Sequence, residues 1–147
     1  MPFLDLPLDM VPEERLLSEG EYQVRCLGAV EKDSKTTPGN RFIELRLDVP
    51  AAPFAEPIYH RLMLPPRDFN LQTALNKGNN IDAEEEKQID YLRKVARAKE
   101  SFGLPSGRGV ELQNFTGKTA WAFVKITPES GNFPAKNEIG RFTTRKA

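Results

Sequence analysis

Apolar and polar residues alternate over several stretches of the chain, and a period of two is the signature of strands that turn one face to a core. Residues 117–126, GKTAWAFVKI, are the sharpest case. Ala120, Ala122, Val124 and Ile126 share one side, while Trp121, Phe123 and Lys125 share the other, so a face that water would keep polar carries two large rings beside a cation. Earlier, from Glu21, the alternation predicts a long first strand with Tyr22, Val24, Cys26, Gly28 and Val30 inward and Gln23, Arg25, Leu27, Ala29 and Glu31 outward. Gly28 marks a bend in it, because a glycine inside a strand removes a side chain where a coiled strand must turn. After a turn at 35–40, the second strand sets Ile43, Leu45, Leu47 and Val49 inward and Phe42, Glu44, Arg46 and Asp48 outward. The third sets Ile58, His60, Leu62 and Leu64 against Tyr59, Arg61 and Met63, and Pro65 and Pro66 stop it. A hairpin turn at 128–134 separates the fourth strand, 119–127, from a fifth at 137–144.

Between the third and fourth strands the period changes to that of helices. Asp68 is the expected cap of a short helix ending near Gly78, and Asp82 that of a longer one at 83–102. The longer helix has acids at 84–86 in its first turn, bases late, and Gly103 and Pro105 after its end. Ile89, Leu92, Val95, Ala96 and Phe102 form its expected apolar stripe. Three strands, a helix and two strands make a mainly β, α+β chain, and the order is that of a five-stranded OB-fold barrel with the helix inserted between strands 3 and 4. The expected organisation is an arm at 1–18, with a short helix at 13–17, and a single OB-fold domain at 19–147.

Composition narrows the functions. The 147 residues suit one domain, and the apolar runs are too short to span a bilayer. Acids at the start, without a continuous apolar stretch, give no export signal, so a cytoplasmic protein is expected. A lone Cys26 excludes an internal disulfide, and a lone His60 leaves no cluster with metal-ligand spacing, so neither metal nor cofactor is expected. Net charge is zero, yet it is unevenly spread: residues 1–20 carry −4 and residues 104–147 carry +4. A neutral total can therefore hide a basic groove. No glycine-rich phosphate loop or paired nucleophile and base is present, which argues against an enzyme. His60 reads as a hydrogen-bonded core residue and Cys26 as an inert buried thiol.

Four segments together carry a family resemblance: SEGEYQVRCLGAVEKDSKTTPGNRFIELRLDV at 18–49, PIYHRLML at 57–64, GKTAWAFVKI at 117–126 and NEIGRF at 137–142. In order and spacing they resemble small phage proteins that bind single-stranded DNA through an OB-fold during replication or recombination. The resemblance covers about two thirds of the chain, leaving out the segment between Pro65 and Gly117, which has no counterpart in the family. It implies a host bacterial cytoplasm if phage-encoded, single-stranded DNA as ligand and replication or recombination proteins as partners. Two departures stand out. Trp121 and Phe123 occupy positions where the family often has basic or polar residues, and the chain ends in TTRKA where many such binders carry an acidic recruiting tail.

Single-stranded DNA offers a charged backbone and flat base faces, so a sequence-tolerant binder needs cations to follow phosphates and rings to stack on. The outward strand positions supply both. Arg25, Arg46, Lys125 and Arg141 are the candidate phosphate contacts, Trp121, Phe123 and Phe42 the stacking platforms, and Tyr59 and Arg61 extend the set on the third strand. Arg25 and Arg46 also have a structural alternative, pairing across strands with Glu44 or Glu31. Tyr22 and Phe142 are assigned to the core. A barrel whose aromatic face docks a partner protein is the competing reading, RNA binding the third, and the oligomeric state is left open.

Overall fold

The computed structural model describes residues 2–11, 16–37 and 39–143. Among the described residues five strands and two α-helices form: β1 Gly20–Asp33, β2 Arg41–Asp48, β3 Ile58–Leu64, α1 Leu71–Asn76, α2 Ala83–Ser101, β4 Thr119–Thr127 and β5 Lys136–Thr143. The short helix expected at 13–17 falls largely outside the described residues, as does the basic end at 145–146. The strands make one sheet in the order β3-β2-β1-β4-β5, with every neighbour antiparallel. The 14-residue β1 serves both halves, pairing with β4 through Gly20 to Arg25 and with β2 from Arg25 to Asp33. Ladder pairing does not close the sheet. Its edge strands are nonetheless brought together, because His60 of β3 meets Phe142 of β5 edge to face at 5.4 Å.

The inward residues of all five strands, including Val24, Cys26, Leu45, Leu47, Ile58, Ala122, Val124 and Ile139, form one buried cluster, with Tyr22 and Phe142 packed against it. The orientations expected from Gly28 to Val30 are reversed. Between Cys26 and Gly28 the β1–β2 register slips, leaving Leu27 as the extra residue of a bulge. A bulge flips the alternation beyond it. Ala29 therefore faces inward opposite Leu45, while Val30, expected inward, lies opposite Glu44 and is 49% exposed.

The helices follow their caps. Asp82 and Glu85 form a capping box at the start of α2: the Asp82 carboxylate accepts from the Glu85 N–H at 2.8 Å, and Glu85 accepts in return from the Asp82 N–H. On α2 the buried face runs through Gln88, Val95, Ala98 and Phe102, so Ala96, expected on the apolar stripe, is exposed. The expected α1 cap is also corrected, since Asn70 rather than Asp68 accepts from the Thr73 N–H, at 2.9 Å. Fully buried Phe115, in a short 3-10 turn at Leu112–Phe115, packs edge-on against Phe102, which in turn packs against Phe142. These rings tie the turn and α2 to β5.

Asn137 of β5, 7% exposed, holds the arm. Its side-chain amide accepts from the Leu17 N–H at 2.8 Å and donates to the Leu17 carbonyl at 3.0 Å, as a neighbouring strand would. Residues 2–11 lie exposed beyond that clasp. Among the described residues no helix is long and apolar enough to cross a membrane.

Candidate nucleic-acid interface

Strand pairing assembles the outward side chains in rows across the sheet. Glu21, Phe123 and Arg141 are cross-strand neighbours, followed by Gln23, Trp121 and Thr143, then Asp48, Arg25 and Thr119. Past the bulge come Gly28, Arg46 and Tyr59, then Val30, Glu44 and Arg61, then Lys32, Phe42 and Met63. Lys125 opposite Glu138 adds a row at the other end. All nine candidate residues thus belong to the same register set, running from β5 and β4 at one end of the face to β2 and β3 at the other.

Their environments differ. Trp121 is half-buried, with Ala120 and Ala122 buried on the opposite side of β4. Phe123 is half-buried and carries the Arg141 guanidinium 5.1 Å from its ring centroid. Under that ring lies Gly140, the extra residue where the β4–β5 register slips, and a Cβ there would stand 3.3 Å from Phe123 Cδ1. Tyr59 is 55% exposed beside exposed Arg46, and Gly28 leaves open space at the other flank of that arginine. Phe42 does not fit its expected role. It is 6% exposed, between Met63 and Lys32 with the Arg61 guanidinium 4.6 Å over its ring, so no base could stack there without displacing that cover.

Acids on the face divide the cations into two groups. Arg25 pairs with Asp48, not with Glu44 or Glu31, through two hydrogen bonds of 2.6 and 3.2 Å. The hydrogen bond and then the charge of Asp48 raise the Arg25 pKa further. Glu44 takes Lys32 at 2.9 Å and lies 3.9 Å from Arg61, whose side chain remains 64% exposed. Glu138 is held below the usual carboxylate range, first by a hydrogen bond from the Thr127 hydroxyl and then by Lys136 and Lys125. Among the described residues Arg46, Lys125 and Arg141 enter no ion pair. Three cations outside these ion pairs, with Arg141 against the Phe123 ring and Lys125 beside Glu138, and three partly open rings are therefore what this face presents to a ligand.

Cys26 and His60 lie on the other side of the sheet, opposite Leu47 and Leu45. Burial raises the Cys26 thiol pKa, and its Sγ contacts the Gly28 carbonyl at 3.3 Å. His60 makes no hydrogen bond among the described residues, contrary to expectation; its ring packs on Phe142 instead. No group of three or more His, Cys, Asp or Glu residues is placed to hold a metal ion among the described residues. Gly140 and Asp48 shape the face but were not sequence candidates: alternation named Asp48 as outward, and only the register reveals its partner. Comparison of the chain with protein-family models and with curated proteins gives no match.

Proposed function

We propose that the chain is a non-enzymatic, sequence-tolerant single-stranded-DNA-binding protein built on an OB-type barrel, of the kind phages use in replication and recombination. The open sheet with the order β3-β2-β1-β4-β5, a helix between β3 and β4, and edges joined by His60 and Phe142 supports the barrel reading. The observation that carries the function is one sheet face with the rings of Phe123, Trp121 and Tyr59 interspersed among Arg46, Lys125 and Arg141. Rings offer each base a stacking surface worth about 1–3 kcal/mol, and the cations follow the phosphates. Arg25 and Arg61 serve as secondary contacts because Asp48 and Glu44 already engage them.

Oligonucleotide titration tests the reading. Trp121 is the only tryptophan, so poly-dT should quench its fluorescence, and affinity should fall steeply as salt rises because counterions are released. Trp121→Ala should weaken binding while the circular dichroism spectrum is retained. The acids Glu44, Asp48 and Glu138 on the same face favour a second reading, docking of a partner protein. Binding to poly-dT that is absent, or insensitive to salt, would leave that second reading.

A further inference from the structure

Gly28 is a glycine that the fold itself does not need. It sits inside the 14-residue β1, where a glycine costs backbone entropy and leaves no side chain to pack. Its backbone is outside the left-handed region, so the bulge beside it does not require a glycine, and a Cβ built there would meet no atom within 4 Å. Neither torsion nor crowding within the chain accounts for the missing side chain. A bare position inside a strand then marks the close approach of another molecule.

Its neighbours define what approaches. Gly28, Arg46 and Tyr59 stand in one row across β1, β2 and β3, so the glycine and the ring lie two strand spacings apart, about 10 Å. Tyr59 is 55% exposed and has no ring or cation contact among the described residues, whereas Arg61 covers Phe42 and Arg141 lies against Phe123. Arg46 between them is exposed and outside every ion pair of the described residues. The acids flanking it along β2 are already matched: Asp48 holds Arg25, and Glu44 holds Lys32 with Arg61 close by. Cations therefore outnumber acids around this row, and the exposed Leu27 and Val30 border it with apolar surface.

We infer, on the single-stranded-DNA reading, that this row seats one nucleotide: the base stacks on Tyr59, the phosphate meets Arg46, and the sugar–phosphate backbone passes over bare Gly28. No side chain has to be displaced for the base to land. Gly28 is thus a positioning residue, since the space above it lets the strand come down onto Arg46. A side chain at that position would hold the phosphate off the arginine without altering any charge of the protein.

Salt titration of dye-labelled oligo-dT, followed by fluorescence anisotropy so that Trp121 is not the reporter, tests this seat. Gly28→Val should weaken binding and lower the slope of log affinity against log salt by about 0.7, the value for one phosphate contact on a single strand. The variant should keep or raise its melting temperature, because a β-branched residue suits a strand better than glycine does. In an Arg46→Ala background the valine should lower the slope no further. Gly28→Ala, whose added methyl meets no atom within 4 Å, decides the matter should the valine disturb the bulge, and it should weaken binding by less. Wild-type affinity in either folded variant, or a slope that the valine lowers equally with and without Arg46, overturns the inference and leaves the DNA reading standing. A wild type that does not bind oligo-dT removes the DNA reading itself, and the seat with it.

Discussion

Gly140 is where a single hydrogen-for-methyl change reads out the candidate face. Its backbone is not in the left-handed region, so a side chain there meets no torsional strain. The constraint is the neighbour: a Cβ would lie 3.3 Å from Phe123 Cδ1 and 3.4 Å from the Phe123 carbonyl oxygen, and the ring is the part able to give. Gly140→Ala should therefore retain the fold and weaken single-stranded DNA binding by less than Phe123→Ala, which removes a stacking surface of roughly 1–3 kcal/mol. Equal affinity of Gly140→Ala and wild type in a fluorescence titration would show that the ring's seat is irrelevant to binding. The arginines separate by a different measurement. Arg46, without an ion pair among the described residues, should lower the slope of log affinity against log salt by about 0.7 when changed to alanine, the value for one phosphate contact on a single strand. Arg25→Ala should change that slope less, because Asp48 holds its guanidinium. Equal slope changes for the two would contradict the division of the cations.

Strands and helices were legible wherever one period ran unbroken. Residues 119–127 alternate without interruption, and β4 forms at Thr119–Thr127 with Ala120, Ala122 and Val124 buried. In β1 the glycine signalled a bend, but the one-residue insertion at Leu27 is a property of the β1–β2 ladder, and composition does not specify which residue is left over. Val30 points outward for that reason. Phe42 obeyed the alternation and still became buried, because long side chains such as Arg61 can cover a ring with their stems while keeping the charge in water. Phe115 left no periodic trace at all, being one aromatic in a 3-10 turn whose burial depends on Phe102 arriving from α2. Two substitutions test elements directly. Asp82→Ala removes half of the α2 capping box and should cost about 1 kcal/mol in chemical denaturation. Asn137→Ala deletes both bonds to Leu17 and should cost roughly 1–3 kcal/mol, the range for stranding buried polar partners. Protease cleavage near residue 17 should accelerate in the same variant. Unchanged stability and cleavage would mean that the arm is not held by this clasp.

The seam where the edge strands β3 and β5 approach each other includes a titratable ring, which makes stability sensitive to acid. His60 sits between the strands against Phe142, and burial, followed by the charge of Lys94, lowers its pKa from 6.5, with Glu138 opposing. The folded state therefore binds the imidazole proton less well than the unfolded chain does. Stability from this group is fully present above pH 6.5 and declines as pH falls through and below that value, because the unfolded state takes up the proton first. Glu138 acts in the same direction at lower pH. Its folded pKa lies below 4.5, so its contribution is present above that value and is lost on further acidification. Acid should thus weaken the protein in two stages, the first belonging to His60 and opening the β3–β5 seam. Thermal melting across a pH series for the wild type and His60→Gln checks this: the variant should lose the decline that begins near pH 6.5 while keeping the one in the carboxylate range. Parallel curves from neutral pH down to the carboxylate range would exclude His60 as the source of acid sensitivity and leave the seam to the apolar contacts of Phe142.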